Sequence, residues 1–286
     1  MRYEAPETVE RATALLAESA GEARVLAGGT DLLVQMRADV VEPALIVDIK
    51  RIAETRAITE DRGGWRIGAA VTGAELKEHP RLQQVWPGVV EAANLIGSTQ
   101  VQGRATLGGN LCNGSPAADS VPALIAAGAV ATLAGPQGRR ELPVEDVMLG
   151  PRRLALGKGE IVVSFRLPPR PPRSSDAYLR FIPRTEMDIA VVGVGVSLTV
   201  DASGTITDAR VSLGAVAPRV LLVREAAAAI VGSRLDRPAQ DRLEAAARAA
   251  CAPIDDKRGT VEFRIQVAGV LARRAALIAL DRARTS

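Results

Sequence analysis

The fold of this chain is decided by the stretch Leu26-Ala27-Gly28-Gly29-Thr30-Asp31-Leu32-Leu33. A short apolar strand, residues 24–27, runs into the two glycines, and a short helix, Leu32–Arg37, follows them. Glycine has no Cβ, so backbone N–H groups can approach a phosphate, and the start of a helix favours negative charge. Thr30 adds a hydroxyl donor, and Asp31 is expected to cap the helix. This pattern predicts an anion-binding turn, although most Gly-Gly-Thr turns are turns only.

A second stretch, Thr106-Leu107-Gly108-Gly109-Asn110, has the same pattern of two adjacent glycines with a threonine nearby. Small and polar residues follow in Asn113-Gly114-Ser115-Pro116-Ala117-Ala118-Asp119, and an apolar helix is predicted for residues 117–127. Neither stretch is a P-loop or a GxGxxG fingerprint. Two separated Gly-Gly loops can hold one pyrophosphate from both sides, so together they favour a nucleotide cofactor.

The elements around these loops predict a change of architecture along the chain. Strand–helix–strand alternation up to about residue 55 predicts a small α/β unit, and a second unit begins with a strand at residues 66–71. Thr72 and Glu75 form a capping-box pattern. The proline-rich residues 168–175 predict a boundary, because proline resists both helix and central strand. Beyond it we predict a strand meander (residues 178–182, 190–200 and 209–215) and then helices (residues 224–231, 238–250 and 260–282).

Composition excludes several classes of protein. Of 286 residues, 47% are hydrophobic and 24% charged, which is typical of a globular protein. The 36 basic and 33 acidic residues form no like-charged block, so no nucleic-acid partner is expected. Two cysteines in unrelated contexts predict neither disulfides nor a metal site, and reduced thiols indicate the cytoplasm. The longest apolar run, residues 121–135, is too short to predict a membrane span.

Four runs of residues resemble one family, the flavin subunits of molybdenum hydroxylases. The opening stretch resembles the family's first FAD loop. The family's second FAD loop is similar to the run Gln100-Val101-Gln102-Gly103-Arg104-Ala105-Thr106-Leu107-Gly108-Gly109-Asn110-Leu111-Cys112-Asn113-Gly114-Ser115-Pro116-Ala117-Ala118-Asp119-Ser120 of this chain. The family's C-terminal domain is similar to Arg184-Thr185-Glu186-Met187-Asp188-Ile189-Ala190 and Asp255-Asp256-Lys257-Arg258-Gly259-Thr260-Val261-Glu262-Phe263-Arg264. The family includes the flavin domain of xanthine dehydrogenase and the medium subunit of aerobic carbon monoxide dehydrogenase. The resemblance covers essentially the whole chain in the same order.

The resemblance implies an α+β fold. Residues 1–173 would form a vanillyl-alcohol-oxidase (PCMH) type FAD-binding domain of two α/β subdomains, about 1–55 and 56–173. Residues 174–286 would form the C-terminal flavoprotein domain of the CO dehydrogenase type, a three-stranded antiparallel sheet with helices.

The resemblance also implies the residues that hold a non-covalent FAD. They are Ala27, Gly28, Gly29, Thr30, Asp31 and Leu32 of the first loop, Thr106, Gly108, Gly109 and Asn110 of the second, and Ile96, Asp119 and Ala190 elsewhere. Gln102-Gly103 stands where the family more often has Arg-Asn, and at Thr207 some relatives carry a lysine that contacts the cofactor. Some relatives also have a larger side chain at the position of Ala190, where it screens the flavin ring.

In the resembled complexes, a large subunit oxidises the substrate at a molybdenum cofactor. A small subunit with two [2Fe-2S] clusters passes the electrons to the FAD, which hands them to an external acceptor. A dimer of heterotrimers is implied, with no catalytic proton-transfer residue and no metal in this chain. A stand-alone flavin-dependent oxidoreductase of the same superfold is the first alternative. A flavin-free structural subunit is the second.

Five single residues have plain structural interpretations. His79, the only histidine, is expected at an exposed helix end, and Cys112 is expected to be a small buried apolar residue. Trp65 and Trp86 are expected in the core rather than against a flavin. Asp119 is open to two roles that can hold at once, a cofactor contact and the N-cap of the helix that starts at Ser120.

Overall fold

The computed structural model describes residues 1–285. The strands are β1 (Arg2–Glu4), β2 (Ala23–Leu26), β3 (Leu45–Asp48), β4 (Ile58–Asp61), β5 (Gly64–Gly68), β6 (Val130–Gly135), β7 (Gly138–Pro143), β8 (Met148–Gly150), β9 (Arg153–Leu154), β10 (Ile161–Leu167), β11 (Ser174–Phe181), β12 (Val192–Val200), β13 (Ile206–Gly214) and β14 (Leu221–Leu222). The helices are α1 (Val9–Glu18), α2 (Leu32–Arg37), α3 (Ala53–Arg56), α4 (Gly73–Glu78), α5 (Pro80–Val85), α6 (Pro87–Ala93), α7 (Thr99–Gln102), α8 (Leu107–Cys112), α9 (Ser120–Ala126), α10 (Val144–Val147), α11 (Arg224–Ala228), α12 (Arg237–Ala249) and α13 (Val261–Thr285).

The first sheet has three parallel strands in the order β1-β3-β2. Helix α1 packs on it with one apolar face, because its buried residues recur every three or four positions. The apolar ones are Val9, Ala12, Leu15 and Leu16, and Thr13 is buried beside them. The chain leaves β2 at Leu26 and enters α2 at Leu32, so the first glycine loop lies at the carboxyl end of a parallel strand. This is the small α/β unit that the sequence predicts.

The second sheet has five strands in the order β4-β5-β10-β6-β7, and every pairing in it is antiparallel. Helices α4 to α9 lie between β5 and β6 in the chain, and apolar side chains of all of them except α7 share one core with the sheet. The sequence predicts that a second unit begins here, but it predicts no strand order for it. Strand β10, which follows β6 in sequence, lies between β5 and β6, and sequence periodicity does not reveal such an order.

The third sheet has four antiparallel strands in the order β11-β12-β13-β14, covered by α11 to α13. Helix α13 presents buried small residues to β11 and β12, and these let the helix lie close to the sheet: Ala268, Ala272, Ala275 and Ala279. The sequence predicts three strands, and the structure adds the two-residue β14. A strand this short leaves no period-2 pattern in the sequence.

The segment before α9 contains more helix than its composition predicts. Residues 97–116 have the glycines and polar residues of a loop, yet α7 and α8 both form within them. Thr106 caps α8, and the fully buried Leu107 and Leu111 fix it against the second sheet, so packing overrides a weak intrinsic preference. The capping box of Thr72 and Glu75 is present as predicted.

The proline-rich residues 168–175 join the second and third sheets, since β10 ends at Leu167 and β11 begins at Ser174. This connection is fixed in place. The Arg170 guanidinium lies 3.8 Å from the centre of the Trp86 ring and 2.9 Å from the Asp176 carboxylate. Trp65 and Trp86 are both buried, as expected. Among the described residues, none of the helices has both the length and the apolar character that a bilayer crossing requires.

Candidate functional site

The first glycine loop presents a row of unused backbone donors. No described residue accepts a hydrogen bond from the N–H groups of Gly28, Gly29, Thr30 or Asp31. Gly29 has a φ of +81°, a conformation that L side chains rarely adopt, and it turns the chain from β2 into α2. Successive free N–H groups at such a turn form a concave site for an anion.

Asp31 does not cap α2, and the predicted cap is wrong. Its backbone has right-handed helical angles (φ −98°, ψ −47°) and its side chain makes no capping bond. The carboxylate instead accepts a hydrogen bond from Asn113 Nδ2 at 3.1 Å. Desolvation against the cavity wall raises the pKa of the Asp31 carboxyl above its ordinary value.

The second loop is held by its own side chains. Thr106 Oγ1 accepts the N–H of Gly109 at 3.0 Å and so starts α8. Asn110 Oδ1 accepts both the N–H and the hydroxyl of Ser120, at 3.0 and 2.7 Å, which ties α8 to α9. A Cβ on Gly108 would lie 2.6 Å from the carbonyl oxygen of Ala69, so only glycine allows α8 to sit this close to the strand end.

The two loops touch each other. A Cβ on Gly28 would lie only 2.0 Å from the carbonyl oxygen of Arg104, which places the two backbones in direct contact. Asn113 links the loops through its side chain, since its Nδ2 donates to Asp31 and its Oδ1 accepts from Gln35 Nε2 at 3.0 Å. The loops are therefore one unit, although about 80 residues separate them in the sequence.

Between the loops lies a cavity of about 360 Å³. Most of the predicted site residues line it, namely Ala27, Gly28, Gly29, Thr30, Asp31, Leu32, Ile96, Thr106, Gly108, Gly109 and Asn110. Arg24 and Arg152 add positive charge to the wall, and Leu154 and Leu156 add apolar surface. Free amides at one part of the wall and apolar side chains at another suit a ligand with both a phosphate and a hydrophobic ring.

Asp119 lies outside the cavity lining and has other partners. Its carboxylate accepts hydrogen bonds from the Tyr178 hydroxyl at 3.0 Å and from Arg180 Nη1 at 2.8 Å. Burial raises its pKa to about 6, against the lowering effect of Arg180 and Tyr178. It makes no capping bond to α9, so the N-cap alternative is wrong, and Asn110 bonds the N–H of Ser120 instead.

Ala190 also lies outside the cavity lining. Its side chain is buried beside the third sheet, whereas its neighbour Ile189 is half exposed. Thr207 donates to the Thr199 carbonyl of the same sheet. Gln102 is buried and donates to the Asn94 carbonyl at 2.5 Å.

Cys112 and His79 differ from expectation. Cys112 is exposed on the cavity wall rather than buried. His79 is only partly exposed, because its Nδ1 accepts the Leu82 N–H as the N-cap of α5 and its ring packs edge-on to Trp65. Within residues 1–285, no group of three or more His, Cys, Asp or Glu side chains could hold a metal ion.

Sequence reasoning missed two residues that shape the loops, Asn113 and Lys50. Asn113 stands inside the quoted second run, but its bridging role depends on partners 78 and 82 residues away. Lys50 Nζ donates to the Ala27 carbonyl at 2.9 Å. A single lysine after a strand carries no sequence signal for such a role.

Comparison with known proteins identifies the family. Residues 1–170 match the family model described as the FAD binding domain in molybdopterin dehydrogenase. Residues 177–279 match that of the CO dehydrogenase flavoprotein C-terminal domain.

Individual relatives match along nearly their whole length. The carbon monoxide dehydrogenase medium chain of Hydrogenophaga pseudoflava is 33% identical over 273 residues, 96% of this chain and 94% of the relative. The xanthine dehydrogenase FAD-binding subunit of Escherichia coli O157:H7 is 32% identical over 267 residues, 93% of this chain and 91% of the relative. A chain in the structure of reconstituted CO dehydrogenase from Oligotropha carboxidovorans superposes with a TM-score of 0.94 at 34% identity, covering 99% of this chain and 98% of that one. The chain therefore belongs to the family of FAD-binding domains of molybdopterin dehydrogenases and carries that family's CO dehydrogenase flavoprotein C-terminal domain.

Proposed function

We propose that this chain is the FAD-binding electron-transfer subunit of a molybdenum hydroxylase complex. The observation that carries the proposal is the cavity between the glycine loops, where the N–H groups of Gly28 to Asp31 have no acceptor among the described residues. Relatives named as a carbon monoxide dehydrogenase medium chain and a xanthine dehydrogenase FAD-binding subunit support it.

The residues present fit FAD. The close approach of Gly28 to the Arg104 carbonyl leaves no room for a Cβ, so backbone rather than side chain faces the cavity at this point. The free amides of the first loop and the hydroxyl of Thr30 would donate to the pyrophosphate. Gly108, Gly109 and Asn110 would close the site from the other side.

The bound flavin would supply the redox chemistry, taking electrons from the [2Fe-2S] clusters of a partner subunit and passing them to an external acceptor. This chain's own residues would bind and orient the cofactor and exclude water from part of it. We assign no proton-transfer residue to the site. Asp119 and Ala190 lie outside the cavity lining, and only the family resemblance predicts that they contact the cofactor.

We further propose the finer organisation that the family implies. Residues 1–173 would form the vanillyl-alcohol-oxidase (PCMH) type FAD domain, with subdomains of about 1–55 and 56–173, and residues 174–286 the C-terminal domain. The partners would be a large molybdenum-cofactor subunit and a small [2Fe-2S] subunit in a dimer of heterotrimers. Such a complex would work in the cytoplasm, where unpaired cysteines stay reduced.

A visible spectrum tests the cofactor and a co-purification tests the complex. After addition of FAD and removal of the excess, the chain should keep flavin bands at roughly 370 and 450 nm that dithionite bleaches. Absence of those bands would favour a flavin-free structural subunit. Purification through a tag on this chain, from cells that express it at native level, should bring down molybdenum and iron. A flavin-loaded chain that oxidises substrates without either metal would favour the stand-alone oxidoreductase instead.

A further inference from the structure

Lys50 contacts the first loop from outside the cavity. It lies in a short 3-10 turn, Ile49–Arg51, directly after β3. Its ammonium donates to the carbonyl oxygen of Ala27 at 2.9 Å and lies 2.8 Å from the carboxylate of Asp48. Ala27 is the residue immediately before the two glycines, so this bond acts on the first peptide of the loop.

The direction of that peptide matters for binding. A trans peptide is planar, so its C=O and N–H point in opposite directions, and no peptide in residues 1–285 is cis. Holding the Ala27 carbonyl towards Lys50 therefore turns the Gly28 N–H away from Lys50. That N–H belongs to the row without acceptors among the described residues, and both Ala27 and Gly28 line the cavity.

Lys50 is itself held in place. Asp48 accepts hydrogen bonds from the Lys50 ammonium at 2.8 Å, from the Lys50 N–H at 3.0 Å and from the Tyr3 hydroxyl at 2.6 Å. Burial pushes the pKa of Asp48 upward, but the bonds from Lys50 and Tyr3 outweigh it and leave the pKa below its ordinary value. The carboxylate thus stays charged, and the lysine side chain, 23% exposed, is ordered rather than free in solvent.

We infer that Lys50 is a positioning residue for the cofactor: it orients the Ala27–Gly28 peptide so that the Gly28 N–H can donate to the FAD pyrophosphate. The inference rests on the proposed FAD site. Nothing in the residue's sequence context would single it out.

Substitution at Lys50 tests this on the full chain stripped of flavin. We expect Lys50→Met to weaken both FAD and ADP about tenfold, because a charge-assisted hydrogen bond that aligns a donor is lost. Lys50→Arg, which can still donate to the carbonyl, should stay within about threefold of the wild type. The matched control is Lys77→Met on the exposed side of α4, which should change neither affinity. Affinities come from fluorescence titration with FAD and from competition with ADP, alongside the melting temperature of the flavin-free chain.

The outcomes separate the inference from the proposed function. A wild-type chain that binds no FAD refutes the proposed function. A Lys50→Met chain with wild-type affinities refutes the role of Lys50, and so does one that melts earlier but binds as tightly. If that variant does not fold, Asp48→Asn decides, since it releases the ammonium but keeps the lysine. We then expect FAD to bind about threefold more weakly, and unchanged binding overturns the inference.

Discussion

Replacing Gly28 with alanine tests the contact on which the whole site depends. A Cβ built on Gly28 lies 2.0 Å from the carbonyl oxygen of Arg104, 2.8 Å from its carbonyl carbon and 3.3 Å from Ala105 Cα. Non-bonded heavy atoms are comfortable only at about 3.5 Å or more. All three neighbours are backbone atoms, which cannot rotate away, so the loops must separate by roughly 1 Å or more.

The size of the effect follows from that separation. Overpacking of this kind lowers the free energy of unfolding by about 1–3 kcal/mol. Parting the loops also misaligns the donors that face the cavity, and each lost hydrogen bond to a charged group is worth about 1.5–3 kcal/mol. Since about 1.4 kcal/mol is tenfold in affinity, we expect the FAD dissociation constant of Gly28→Ala to rise roughly tenfold to a hundredfold.

A second glycine in the same region gives the control. Gly103 has ordinary right-handed helical angles (φ −67°, ψ −7°), and a Cβ there meets only the Gln100 carbonyl oxygen at 3.8 Å. Gly103→Ala should leave FAD affinity unchanged and raise the free energy of unfolding by about 0.4–1 kcal/mol. Urea unfolding of the flavin-free chains and FAD titration measure the two quantities. Wild-type FAD affinity in Gly28→Ala, or an equal loss in both variants, would refute the reasoning.

Two further predictions concern titratable groups. Burial raises the pKa of Asp119 to about 6, so the folded chain binds this proton more tightly than the unfolded chain does. The stability that the Asp119 proton adds to the folded chain is complete below the pKa of Asp119 in the unfolded chain, and it is lost as the pH rises through about 6. Between pH 5 and 7 we therefore expect it to fall by about 1 kcal/mol, a dependence that urea titrations should find missing in Asp119→Asn. Desolvation raises the pKa of the Cys251 thiol to about 11, so this thiol should react slowly with iodoacetamide at neutral pH. Mass spectrometry should show that FAD slows the reaction of the exposed Cys112 but not that of Cys251, which lies outside the cavity lining, and equal protection of both would contradict the placement of Cys112.

The two aspartates that precede helices show where sequence reasoning reaches its limit. Asp31 and Asp119 each stand at the N-cap position, and Asp is a favoured N-cap residue. An N-cap needs extended backbone angles, whereas Asp119 has φ −58° and ψ −42° and Asp31 is similar. Each carboxylate is taken by a partner from a distant part of the chain, Asn113 for Asp31 and Arg180 for Asp119. A local sequence pattern does not reveal such contacts, because the partner residues lie far away in the sequence.

The glycine loops were predictable for the opposite reason. Their chemistry is local: missing Cβ atoms, the Thr106 hydroxyl that accepts the Gly109 N–H, and a helix start beside each pair of glycines. The Thr72 capping box is local in the same sense. The strand order of the second sheet and the support that Lys50 gives to the first loop are not local features, because each depends on which segments meet in space. Sequence therefore predicts the local geometry of a loop better than it predicts what holds the loop in position.

The two loops are held in place by contacts from different parts of the chain. Lys50, after a strand of the first sheet, fixes the Ala27 carbonyl in the first loop. The segment after the second loop is fixed by the third sheet, where Ala215 donates its N–H to the Pro116 carbonyl at 2.7 Å and Arg180 pairs with Asp119. None of the residues that line the cavity belongs to the third sheet, among those the structure describes. A ligand that bridges both loops would bind more tightly when both supports are in place, so its binding would also stabilise the packing of the third sheet against α9. The C-terminal part would thus contribute to the proposed cofactor site through the loop it holds, even without a residue in the cavity wall.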